Sequence, residues 1–159
     1  MHANIEYYLN SQFDKIIENK ELQLFISFWN DFKQQYPYII PYRTEWVVYD
    51  EDEFISGSID FVLSDNNNNL VIMDWKRSKE IKFTNKWEKG YKFFDTYENC
   101  NYNHYSLQLN FYRHILETKY NKKVIYMMLV ILHPDQDSYI CHEVPYIELK
   151  NIWKGIANV

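Results

Sequence analysis

Two aspartates stand inside runs that otherwise read as buried β-strand. One run is Ser58-Ile59-Asp60-Phe61-Val62-Leu63, the other Val71-Ile72-Met73-Asp74-Trp75-Lys76. A charge in a nearly continuous apolar strand is costly unless it is paired or metal-bound. The tract Asn66 to Asn69 separates the two runs and reads as a hairpin tip. A hairpin centred on Asn67 puts Asp60 directly across from Asp74, with Cβ atoms about 5 Å apart on one face. The two-residue period of a strand returns Lys76 to that face.

A third run, 42–49 (YRTEWVVY), precedes them and carries Glu45. Its hairpin is centred near Asp50-Glu51-Asp52-Glu53. A centre between Glu51 and Asp52 places Glu45 opposite Ser58, beside Asp60. A centre one residue later places Glu45 opposite Asp60 itself. A half-step slip would turn Glu45 to the other face. Carboxylates this close raise one another's pKa, so something positive is needed to keep them ionised. Oxygen ligands suit Mg²⁺ or Mn²⁺. Such an ion activates water and stabilises charge on a phosphoryl oxygen, and a lysine beside it can stabilise the developing charge. The competing reading is an exposed salt-bridge ladder on a solvated sheet, and the apolar flanks of both aspartates argue against it.

Around these strands the periodicity predicts a short helix within 5–19 and a firmer one over 21–35, where Leu22, Phe25, Ile26, Trp29 and Phe32 recur at helical spacing. Tyr36-Pro37 ends it. Strands are expected at 42–49, 54–64 and 69–76, a helix at 104–119, strands at 123–132 and 138–145, and a short helix at 146–155. The expected fold class is α+β: a central mixed sheet with an antiparallel three-strand meander, flanked by helices. The length suits one domain over residues 1–159.

The net charge of −5 runs against a nucleic-acid binder. Yet seven basic residues against two acids lie between Lys76 and Lys92, interleaved with Phe83, Trp87 and Tyr91. Lysines there could contact phosphates while the aromatics stack on bases. Equally, the helical spacing of those three aromatics could make them core. Two cysteines are too few for a disulfide scaffold. The longest apolar run, Val124 to Leu132, is about half a membrane span. No signal peptide is evident. An intracellular protein without a membrane segment is expected.

These residues resemble the PD-(D/E)XK nuclease superfamily. The match is Gly57-Ser58-Ile59-Asp60, then Asp74-Trp75-Lys76, then Gln108-Leu109-Asn110-Phe111-Tyr112, which is similar to the Gln-x-x-x-Tyr motif of the RecB-like and lambda-exonuclease-like branch. It covers roughly residues 21–145. The resemblance implies a restriction-endonuclease-like fold and a DNA nuclease acting in repair, recombination or replication processing. It implies Asp60, Asp74 and the Trp75 carbonyl as metal ligands, with Glu45 assisting. It implies Lys76 positioning the attacking water, and Gln108 and Tyr112 supporting the site and the DNA strand. Arg77, Lys79, Lys82 and Lys86 are the expected phosphate contacts. Asp74 stands where Glu is commoner. Residues 21–35 hold no match to the histidine that some RecB-like enzymes carry on the first helix. The acidity points to DNA gripped partly by another subunit, so a homo-oligomer or larger protein partner is also expected. Two other functions stay open: a non-cleaving nucleic-acid-binding or assembly module with the same fold, and an RNA endonuclease.

The remaining polar features read as structure. His104 is expected on the surface, His133-Pro134-Asp135 in a turn, His142 on an edge strand, and Asp50 to Glu53 at a solvated tip.

Overall fold

The computed structural model describes residues 1–85, 88–90 and 97–149. Helices α1 (His2–Leu9) and α2 (Lys20–Gln35) lead into strands β1 (Ile40–Asp50), β2 (Ile55–Ser64) and β3 (Leu70–Lys76). Helix α3 (Asn101–Lys119) and strands β4 (Val124–Ile131) and β5 (Ile140–Glu143) follow. The five strands form one sheet in the order β1-β2-β3-β4-β5. The β1–β2, β2–β3 and β4–β5 pairs are antiparallel, while β3–β4 is parallel. A parallel neighbour needs a crossover, and α3 supplies it. The fold is therefore α+β with a mixed five-stranded sheet between helices.

Apolar residues fill both faces of the sheet. On one, Val48, Ile59, Val62, Ile72 and Leu129 pack with Leu109, Ile115 and Leu116 of α3. On the other, Phe61, Leu63, Met73, Trp75 and Val130 pack with Ile5 of α1 and Phe25, Phe28 and Trp29 of α2. Trp75 is the hub of the second layer, with ring centroids 5.2 Å from Phe25, 6.0 Å from Phe28 and 5.8 Å from Phe61. Such aromatic pairs contribute about 0.5–1.5 kcal/mol each beyond their buried area. Burial on both faces explains why β2 and β3 read as nearly continuous apolar runs.

The β2–β3 register near the turn is the one expected from the Asn tract: Phe61 pairs with Met73 and Val62 with Ile72, and the ladder ends there, one residue short of Asp60 and Asp74. Asp65 fastens the turn by accepting the Asn67 and Asn69 amides, each at 2.8 Å. In the first hairpin Trp46 pairs with Ile59 and Val47 with Ser58, which selects the later of the two centres. Glu45 thus lies across from Asp60, between the pairs Thr44–Phe61 and Trp46–Ile59.

Three expectations are corrected, and the helical alternative for Phe83 is decided. The first helix spans His2–Leu9 instead of lying within 5–19, and only a 3₁₀ turn (Phe13–Lys15) follows. Asn10 and Ser11 break it, with Ser11 at φ 56°; such residues favour local side-chain bonds over helix continuation. Asp50 is not solvated but buried, its Oδ1 accepting the Asp52 and Glu53 amides while Lys119 lies 3.0 Å away. Residues 146–149 are not helical. Instead Asn110 accepts the Ile147 amide at 2.8 Å and Arg113 donates to the Ile147 carbonyl at 2.9 Å, which holds that stretch against α3; the rest of the expected helix lies outside the described residues. Finally, residues 81–85 are not helical, because the Lys82 and Asn85 amides are held by the Asn101 and Glu98 side chains. Phe83 instead packs at a tilt against Tyr102, ring centroids 4.6 Å apart, whereas Trp87 and Tyr91 lie outside the described residues.

Candidate active site

Asp74 ends the apolar stretch of β3 and is 2% exposed. Lys76, two residues on, brings Nζ to 2.7 Å from Asp74 Oδ2. The ammonium is thus the partner of this buried oxygen. Burial and the neighbouring Asp60 push the Asp74 carboxyl up to about 6, with Lys76 pulling the other way.

Asp60 is held from two sides. Its Oδ2 accepts the Trp75 amide at 2.8 Å, and His2 Nε2 lies 3.2 Å from the same oxygen. His2 Nε2 is also 3.1 Å from the Trp75 carbonyl oxygen. The bond to Asp60 is the main reason that the His2 pKa is raised above its ordinary value. The Trp75 side chain is buried in the α1–α2 layer while its main chain borders the site. One residue thus ties the core to the chemistry.

Glu45 sits at φ 45°, inside a strand. A non-glycine residue there carries strain of order 1–3 kcal/mol. Across from it, β2 changes phase: Ile59 turns to the α3 layer, Phe61 to the α1–α2 layer. Such local irregularities re-aim side chains. The Glu45 carboxylate accepts the Ser58 hydroxyl at 3.2 Å, and burial followed by Asp60 raises its pKa.

Helix α3 contributes a polar chain. Lys76 Nζ donates to Gln108 Oε1 at 3.0 Å, and Gln108 Nε2 donates to Tyr112 Oη at 3.0 Å. The one-turn spacing of Gln108 and Tyr112 lets both reach the same side. Tyr112 lies so close to Gly57 that a β-carbon there would overlap its ring. Gly57, Asp60, Asp74, Lys76, Gln108 and Tyr112 therefore belong to one contiguous set.

The expected phosphate contacts lie at the surface or outside the described residues. Arg77 is paired with Glu21 at 2.7 Å and Lys79 with Asp135 at 3.2 Å. Lys82 lies on an exposed segment whose amide is bonded to Asn101, and Lys86 lies outside the described residues. His104 is exposed, His133 accepts the Asp135 amide in its turn, and His142 packs 5.1 Å from Phe83.

His2 is the residue that sequence reasoning missed. The search for a histidine covered 21–35, whereas the histidine that reaches Asp60 lies on the shorter helix before it. The available signal was its position three residues ahead of Ile5, the apolar anchor of α1. Among the described residues, no group of three or more His, Cys, Asp or Glu is arranged to hold a metal ion. The chain's own cations sit on the acids instead, Lys76 on Asp74 and His2 on Asp60.

No family model matches the chain, and no curated protein is similar to it. Fourteen chains of solved structures match in shape. One is the crystal structure of SSO0001, at 12% identity and a TM-score of 0.43, covering 99% of this chain and 68% of that one. Among the described residues, no helix is long and apolar enough to cross a membrane.

Proposed function

We propose that this chain is a divalent-metal-dependent nuclease that hydrolyses DNA phosphodiester bonds, with a restriction-endonuclease-like fold and RecB-like or lambda-exonuclease-like ancestry. The observation that carries the reading is the buried Asp74–Lys76 ion pair, Nζ 2.7 Å from Oδ2, beside Asp60. Neighbouring carboxylates repel one another, and a divalent cation would relieve that repulsion.

By donor chemistry these residues suit Mg²⁺ or Mn²⁺, although the described acids form no cluster of three as they stand. Asp60, Asp74 and the Trp75 carbonyl are hard oxygen donors, and Glu45 lies across from Asp60 to assist. When bound, the ion would lower the pKa of water and stabilise charge on the phosphoryl oxygens. The chain does the rest. His2 and the Trp75 amide orient Asp60. With a cation held by Asp74, Lys76 would give up that contact and be left to position the attacking water. Gln108 keeps the lysine within reach, and Tyr112 anchors Gln108. The proposed role is in DNA repair, recombination or replication processing.

The reading is tested with labelled DNA and RNA, with and without Mn²⁺, against Asp74→Ala and Lys76→Ala. Wild type cleaves DNA only with metal, and each variant loses at least about 100-fold, the usual scale for removing such a group. Equal cleavage by all three proteins overturns it. Preference for RNA would make the chain an RNA endonuclease. A non-cleaving binding module is the second reading. The net charge of −5 favours it in its assembly form. Metal-independent DNA binding without turnover would establish that alternative.

A further inference from the structure

The Lys76 ammonium has a third neighbour that the sequence motifs do not include. Its Nζ lies over the ring of Tyr105, 4.7 Å from the centroid. Tyr105 is half-buried on α3, one turn before Gln108, and packs against the α3-side core. The ammonium is thus bounded by Asp74 at 2.7 Å, Gln108 Oε1 at 3.0 Å and an aromatic face.

These three neighbours are unlike. Asp74 offers a full negative charge, and any cation that binds this carboxylate competes with Lys76 for it. Repulsion between that cation and the ammonium then pushes the lysine away. A lysine stem has four rotatable bonds and a strongly hydrated head, so without other restraints it would swing into water. Gln108 and Tyr105 remain attractive after Asp74 is taken: the first by a hydrogen bond, the second by the negative face of its ring.

We propose that Tyr105 is a positioning residue, the aromatic seat that keeps Lys76 in the site when a divalent cation occupies Asp74. The inference rests on the nuclease reading for its consequence in catalysis, but not for its geometry. The phenolic oxygen is not needed, because the ring face makes the contact. Phenylalanine at this position therefore preserves the effect, and leucine, of comparable bulk, removes it.

The test has two arms on the full-length chain. The first is NMR of the Lys76 side-chain methylene signals, assigned with Lys76→Arg, with and without Mg²⁺. Wild type and Tyr105→Phe show the upfield ring-current shift of a methylene group held over an aromatic face, and Mg²⁺ preserves it. Tyr105→Leu loses it. Lys76 signals that are the same in wild type and Tyr105→Leu overturn the proposal whatever the activity. The second arm is turnover of DNA with Mg²⁺. Tyr105→Leu lowers kcat roughly three- to thirtyfold, the range expected from losing one cation–π contact, with KM unchanged. Tyr105→Phe stays near wild type. A loss shared equally by both variants, or one that follows a drop in thermal stability, overturns the positioning role. Absence of any cleavage by wild type removes the nuclease reading and leaves the NMR arm to decide the contact.

Discussion

Tyr112 occupies the space where Gly57 would carry a side chain. The glycine of the β2 motif is thus explained by close approach of a helix, since no glycine of the described chain has a positive φ. Gly57→Ala forces the Tyr112 ring to move, and with it the hydrogen bond to Gln108 that leads on to Lys76. The expected cost is about 1–3 kcal/mol, typical of overpacking a filled site, together with reduced turnover. Urea unfolding and a cleavage assay on the same preparation check both. An unchanged midpoint would show that the contact is not tight.

His2 should titrate above an ordinary histidine because Asp60 favours its charged form. A folded pKa above the unfolded value means that the imidazolium stabilises the fold at low pH. That contribution is fully present below the unfolded value, about 6.5, and is lost as pH rises through the folded one. NMR titration of the His2 ring measures it directly, and Asp60→Asn returns it toward the ordinary value. A His2 pKa unaffected by Asp60→Asn would contradict the contact.

Asp74 bears on activity with the opposite sense. Its carboxyl is raised to about 6 by burial and Asp60, and only the ionised form can hold a cation. Metal-dependent cleavage should therefore increase with pH through that region and flatten above it. Raising the Mn²⁺ concentration should move the rise to lower pH, because metal and proton compete for the same oxygens. A rate independent of pH between about 5 and 8 would separate Asp74 from the rate-determining site.

Much of this arrangement was legible because it depends on short range. Asp60 and Asp74 are joined by one tight hairpin, and Asn67 with the flanking apolar residues leaves little freedom in its register. Glu45 was harder: two hairpin centres were open, and the later one holds in a strand distorted at Glu45 itself. Distant contacts were not legible. His2 reaches Asp60 only because α1 folds over the sheet, and Asn10-Ser11 ends that helix early. Asp50 is buried by Lys119, far along the chain on α3, which no local charge count reveals. The ion pairs of Arg77 with Glu21 and Lys79 with Asp135 were equally illegible, because those partners come from distant elements.

Thermal unfolding offers a further check on the cation. A ligand that binds only the native state stabilises it by mass action. Mn²⁺ should raise the unfolding midpoint of wild type and leave that of Asp60→Asn/Asp74→Asn unchanged. An equal rise in both would place the binding elsewhere on this acidic chain.

The most direct measurement is anomalous diffraction from crystals soaked in Mn²⁺. A peak is expected between the Asp60 and Asp74 carboxylates, within about 2.0–2.3 Å of an oxygen from each, the range for hard cations on carboxylates, with Lys76 drawn off Asp74 toward Gln108 and Tyr105. Crystals that take up manganese elsewhere, with Lys76 still seated on Asp74, would contradict it.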